Sequence, residues 1–169
     1  IRVQRSSRAG VRIAVALAED KVIPRAEAVM RVHPSALSEL LHRQVDPGAK
    51  RDLLVRGIAA SPGAASGRLV FSPAEALVAA ARDENVILVR RETTPEDIRG
   101  MTAARGVVTI RGGITSHAAV IGRGLGLPCV VGASDLNIDR RKREIVTPDG
   151  RRIAAGEIVT VDGTSGQVL

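Results

Sequence analysis

Six short β-branched runs constrain the fold of this 169-residue chain more than any other feature: Arg68-Leu69-Val70-Phe71, Val86-Ile87-Leu88-Val89, Gly106-Val107-Val108-Thr109-Ile110, Cys129-Val130-Val131, Glu144-Ile145-Val146 and Glu157-Ile158-Val159-Thr160-Val161. Each is too short for a helix and is bounded by Gly, Pro or Asp, so each reads as a strand. Two helix candidates lie between them. One is Ala74 to Ala81; the other follows Thr94-Pro95-Glu96-Asp97, where Thr94 can cap, Pro95 suits the first turn and the two acids favour the positive helix end. A third helix begins at Ser116, and the closing section from Glu144 to Leu169 reads as hairpins turning at Asp149-Gly150 and Asp162-Gly163. The pattern is mixed α/β without an internal repeat.

Before Leu53 the apolar residues follow a helical period. Val11, Ile13, Val15, Leu17 and Val22 mark a first helix, and Pro24-Arg25-Ala26-Glu27-Ala28 opens a second that runs to about Arg31. His33-Pro34 stops it, because the residue before a proline is pushed out of the helical region. A third short helix, Ser35 to Leu41, ends before Asp46-Pro47-Gly48. The predicted organisation is therefore a helical arm over residues 1–50 and an α/β domain over residues 51–169. The chain opens at Ile1 inside the helical pattern and is expected to be a piece of a longer protein.

Phe71 is the single aromatic residue, so the core must be built from Val, Ile, Leu and Ala, and no platform exists on which nucleic-acid bases could stack. The net charge of +7 comes almost wholly from Arg, scattered except for Arg140-Arg141-Lys142-Arg143. It is read as a solvated surface, with docking onto acidic or phosphate-bearing partners as the alternative, and no nucleic-acid partner is expected. Cys129, the one cysteine, excludes an internal disulfide; it fits a buried small hydrophobe and a reducing, cytoplasmic setting. No run approaches the roughly 20 apolar residues of a membrane span, and the Arg-rich N-terminus lacks the apolar stretch of a signal peptide. No membrane partner is expected.

The segment from Arg111 to Val120 follows one apolar strand and precedes a helix. Gly112 and Gly113 let the backbone turn tightly and leave room for a bulky group. Thr115 or Ser116 can cap the helix, which puts His117 in its first turn, where unpaired N–H groups and the positive end of the macrodipole favour an anion. A neutral imidazole, with an ordinary pKa of about 6.5, is a competent nucleophile near neutral pH and can form covalent intermediates. These residues suit a covalent phosphate carrier; a histidine that merely caps or packs locally is the alternative they leave open. Other chemistries find no support. There is no phosphate loop ending in Gly-Lys-Ser/Thr, and Gly122, Gly124 and Gly126 have helix-terminating rather than dinucleotide-binding spacing. His33 and His42 lie in the arm and Cys129 stands alone, so no metal ligand set is visible.

The run Gly112-Gly113-Ile114-Thr115-Ser116-His117-Ala118-Ala119, continued by Val120-Ile121-Gly122-Arg123, resembles the phosphohistidine signature of the enzymes that interconvert pyruvate and phosphoenolpyruvate. Ala60 to Gly67 and Thr93 to Met101 are similar to two further segments of that family's swivelling domain, so the resemblance extends from about Leu54 to the C-terminus. Phosphoenolpyruvate synthases typically carry Cys at the position of Ser116, and the first enzyme of the sugar phosphotransferase system usually has Ser at the position of Ala118. Thr115-Ser116-His117-Ala118-Ala119 is the form of the pyruvate, phosphate dikinases. Ile13 to Glu19 and Leu40-Leu41-His42 also look like the segment that leads into the dikinase's central domain. Gly122 departs from the pattern, in which Ala is more usual.

The resemblance implies a swivelling β/β/α phosphohistidine domain preceded by a short helical arm. It implies that His117 is a tele-phosphohistidine intermediate supported by Gly112, Gly113, Thr115 and Ser116. The parent reaction would convert ATP, phosphate and pyruvate into AMP, pyrophosphate and phosphoenolpyruvate. The partners would be an ATP-grasp domain and a TIM-barrel domain of the same polypeptide, with magnesium and a monovalent cation bound there and no metal in this chain. In that family the residue matching Thr115 is phosphorylated by a bifunctional regulatory kinase/phosphotransferase. Whether the parent is a homodimer stays open, as do two alternatives, a phosphoenolpyruvate synthase domain and a stand-alone phosphocarrier. The chain by itself is not expected to turn over.

Overall fold

The computed structural model describes residues 7–169, so the first six residues of the predicted arm lie outside the described residues. The chain divides into two compact units, one ending at Arg43 and one spanning Gln44–Leu169.

The first unit holds α1 (Ser7–Glu19), α2 (Arg25–Met30) and α3 (Pro34–Leu41). Lys21 takes a left-handed conformation (φ 57°) and the Val22 N–H returns to the Leu17 carbonyl at 2.9 Å, which closes α1. His33 is extended (ψ 135°), as its place before Pro34 requires, and Pro34 opens α3. The buried apolar centre is small: Ala14, Ile23 and Ala28, with Leu17, Ala18 and Val32 packed against it.

In the second unit the elements run β1 (Val55–Arg56), β2 (Ile58–Ser61), β3 (Ala64–Val70), α4 (Pro73–Ala80), β4 (Val86–Arg90), α5 (Ile98–Ala103), β5 (Gly106–Thr109), α6 (His117–Leu125), β6 (Cys129–Val131), β7 (Asn137–Asp139), β8 (Glu144–Val146), β9 (Arg152–Ala154), β10 (Ile158–Asp162) and β11 (Gln167–Val168). Eight strands form one sheet in the order β1-β11-β10-β3-β4-β5-β6-β2, while β7, β8 and β9 form a second, antiparallel sheet. The centre of the large sheet, β3 through β6, is parallel, and α4, α5 and α6 lie in the crossovers between successive strands.

Three layers result. On one face Val70, Leu88, Val107, Cys129 and Val131 pack with Ala76, Ala79, Met101, Ala118 and Ala119 of the helices. On the other, Leu69, Ile87, Val89, Val108 and Val130 pack with Ile145 and Ile153 of the small sheet. Because both faces are covered, β4 and β5 are buried at nearly every position instead of alternating. The fold is the expected mixed α/β arrangement of sheet, sheet and helices.

Differences lie in the margins. β3 starts at Ala64 rather than Arg68, because residues 64–67 pair with β10. The helix after Thr94 begins as a 3-10 turn, Pro95–Asp97, before continuing as α5. No helix among the described residues is long and apolar enough to cross a membrane.

Candidate functional site

The parallel strands present their carboxyl ends along one edge of the sheet, where ligands of such sheets gather. The ladder between β4 and β5 continues past the strands: Ile110 N–H donates to Arg90 O at 3.1 Å and Arg111 N–H to Arg91 O at 2.8 Å. The buried Thr109 hydroxyl donates to the Arg111 carbonyl at 2.8 Å, which bends the chain back. Gly112 then turns at φ +112°, where a Cβ would lie 2.8 Å from Ser116 Cβ. A side chain there would be strained in backbone and blocked in space. Gly113 has open space around it and no positive φ, so the requirement for glycine falls on Gly112, not on both as expected. Gly113 contributes its carbonyl, which accepts from Ser116 N–H at 3.0 Å.

Ser116 is extended (φ −64°, ψ 158°) and its hydroxyl accepts from Ala119 N–H at 3.4 Å, a long capping bond. Of the two candidate caps, Ser116 fills the position, and Thr115 is left exposed on the preceding turn. His117 is therefore the first residue of the nine-residue α6, at the end where backbone N–H groups lack helical partners. Ala118 and Ala119 behind it are fully packed into the core, which anchors this turn. His117 is half-buried, and its Nε2 is buried without a hydrogen-bond partner. An unpaired buried imidazole nitrogen contributes nothing to stability and is costly to maintain, which favours a chemical use for it.

The segment joining β4 to α5 faces this turn. Asp97 is buried; it pairs with Arg90 at 3.2 Å and accepts from Thr94 N–H at 2.9 Å, and Arg90 also donates to the Phe71 carbonyl at 3.2 Å. Arg90 Nε and Thr93 Oγ1 are buried without partners. The Thr94 hydroxyl, 3.3 Å from Asp97, also holds the exposed Glu96 carboxyl below its ordinary value, with its own backbone N–H and the charge of His117 adding to the effect. Glu96 is thus an acidic group within electrostatic reach of His117. On the helix side, Arg123 donates to the Ala60 carbonyl at 3.0 Å and to the Ile114 carbonyl at 2.9 Å. Behind the helix, Cys129 Sγ lies 3.7 Å from the Ala118 carbonyl, and burial pushes its thiol up to about 12, so at neutral pH it is an uncharged packing group. Among the described residues no three His, Cys, Asp or Glu side chains come together as a metal site.

Sequence reasoning placed His117, Gly112, Ser116 and Thr115 in one turn, and they are there. It did not find Glu96 or Arg123 as neighbours of the site. Nothing in the local sequence tells a side chain which distant carbonyl or charge it meets.

A family model described as PEP-utilising enzyme, mobile domain, matches residues 82–166. The chain belongs to that family. Relatives align over nearly all of it: a pyruvate, phosphate dikinase of Rhizobium meliloti (strain 1021) is 49% identical over 98% of the chain. Those of Rickettsia typhi and Clostridium symbiosum are 46% and 40% identical over the same share. The chain spans only 18–19% of the length of these relatives. The matches run through the N-terminal helices as well as the α/β unit.

Proposed function

We propose that this chain is the phosphoryl-carrier domain of a pyruvate, phosphate dikinase, in which His117 takes up one phosphoryl group at one active site and gives it up at another. The observation that carries the reading is the placement of His117: first turn of α6, just beyond the Gly112 turn, its Nε2 unpaired. In the phosphoenolpyruvate half-reaction the Nε2 lone pair attacks phosphorus. The N–P bond forms as the P–O bond to the enol oxygen breaks, and the electron pair leaves on the pyruvate enolate. In the nucleotide half-reaction ATP and phosphate yield AMP and pyrophosphate, and one phosphoryl group stays on His117. The new negative charge sits at the positive end of α6. Since Nε2 is buried in the described conformation, the ring must turn outward before transfer.

Binding of ATP and enolisation of pyruvate are assigned to the rest of the polypeptide, an ATP-grasp domain and a TIM barrel, as the resemblance implies. Magnesium and a monovalent cation are assigned to those partners as well. Residues 1–50 are read as the linker and residues 51–169 as the carrier domain, in a cytoplasmic setting that suits the lone thiol. Thr115, exposed two residues before His117, is the candidate for regulatory phosphorylation by a bifunctional kinase/phosphotransferase. The test is isotope exchange between labelled pyruvate and phosphoenolpyruvate in the full-length enzyme. The exchange should proceed in the native protein and vanish in His117→Asn; exchange that survives the substitution would refute the carrier role.

A further inference from the structure

We infer that Arg123 is a positioning residue for the phosphoryl-accepting histidine, an inference that rests on the carrier reading above. The turn from Arg111 to Ser116 has little of its own to hold it. Its internal bonds are local, Thr109 Oγ1 to Arg111 O and Ser116 N–H to Gly113 O, and the bond from Arg111 N–H to Arg91 O fixes only its beginning. Ile114, the one large apolar side chain in it, is 58% exposed, so burial does not anchor the tip either. The contact that ties the tip down comes from the far end of the same helix. Arg123, in the last turn of α6, donates Nη2 to the Ile114 carbonyl at 2.9 Å and Nη1 to the Ala60 carbonyl in β2 at 3.0 Å.

One planar guanidinium thus joins three things that backbone pairing leaves separate: the catalytic turn, the C-terminal end of α6 and the edge strand β2. Arginine suits the task because its donors are fixed in a fork, whereas a lysine ammonium is a point charge that cannot span two carbonyls in the same way. A cation is also favoured at the C-terminal end of a helix. Both terminal nitrogens are committed to carbonyls, so Arg123 acts on the turn and leaves the phosphoryl oxygens to other groups. Its effect on chemistry comes through the position of Ile114, Thr115 and Ser116, and hence of the His117 ring that must turn outward to react. Displacing a reacting group by about 1 Å costs on the order of 100-fold in rate.

The experiment follows the rate at which labelled phosphoenolpyruvate phosphorylates His117 in the full-length enzyme, comparing native protein, Arg123→Met and Arg123→Lys. Arg123→Met should slow labelling by about 10- to 100-fold while the final occupancy of His117 stays near native. Hydrogen exchange should quicken in residues 112–116 and stay slow in β4 and β5. Arg123→Lys should recover part of the rate. Native protein that fails to label at His117 defeats the carrier reading. Native protein that labels, with Arg123→Met labelling equally fast, defeats the positioning role alone. Should Arg123→Met fail to fold, Arg123→Lys decides: slowed labelling in a folded protein upholds the role and a native rate overturns it. Failure of both variants to fold would make Arg123 a stability group and overturn it too.

Discussion

His117 and Thr115 stand two residues apart in one turn, yet the structure gives them different situations. The ring is half-buried at the start of α6 and the hydroxyl-bearing residue is exposed beside it. A carboxylate introduced at Thr115, an exposed position two residues before His117, adds like charge beside the group that must accept an anion, so Thr115→Glu should slow phosphorylation of His117, more at low than at high ionic strength, without altering the circular dichroism spectrum. Thr115→Val should stay active. Near-native labelling of Thr115→Glu would show that charge exclusion is the wrong mechanism for a switch here. Cys129 supplies a second test at this scale. Burial raises its thiol from 9.0 to about 12, so between those values the unfolded chain binds fewer protons than the folded one. The stability contributed by the neutral thiol is fully present below pH 9 and is lost as the pH climbs toward 12. The native protein should resist iodoacetamide at pH 8 and react once unfolded in urea, and its melting temperature should fall more steeply above pH 9 than that of Cys129→Ala. Rapid alkylation of the folded protein would contradict the burial.

The elements show why some of this architecture was legible in the sequence. β4 and β5 are buried on both faces and so appear as continuous apolar runs, and α6 is announced by a glycine turn, a serine cap and Gly126 in the left-handed conformation at its end. By contrast β1 and β11 have two residues each and β7 has one apolar residue in three, so no periodicity could disclose them. They exist because partner strands supply the pairing. The turn carrying His117 was readable because its determinants are consecutive; the bonds of Arg123 reach Ala60, far away in sequence, and leave no local mark. Close packing of elements was equally hidden. A Cβ on Gly100 of α5 would lie 2.5 Å from Pro73 Cα of α4, a backbone atom that cannot step aside. Gly100→Ala should therefore destabilise the protein by about 1–3 kcal/mol despite the better helix propensity of alanine. Equilibrium urea unfolding measures this, and an unchanged or raised midpoint would show that α4 and α5 do not meet so closely.

At the scale of the whole molecule, each unit has an apolar centre of its own: Ala14, Ile23 and Ala28 in the first, and the two clusters on either face of the large sheet in the second. Removing residues 1–43 should leave Gln44–Leu169 folded with a sharp thermal transition, and loss of that transition would show that the first unit is needed for the second. The chain alone should bind its phosphoryl group only when another domain delivers it, so purified chain mixed with ATP, phosphate and pyruvate should give no sustained turnover. The central claim is that His117 is the residue that carries phosphate, and the most direct measurement locates the phosphate itself. The full-length enzyme should be treated with phosphoenolpyruvate labelled in its phosphoryl group and digested under alkaline conditions. The label should then appear on the peptide containing His117, in a linkage that survives base and is lost in acid, and should be absent from His117→Asn. Label on any other residue, or label that persists in His117→Asn, would contradict the account.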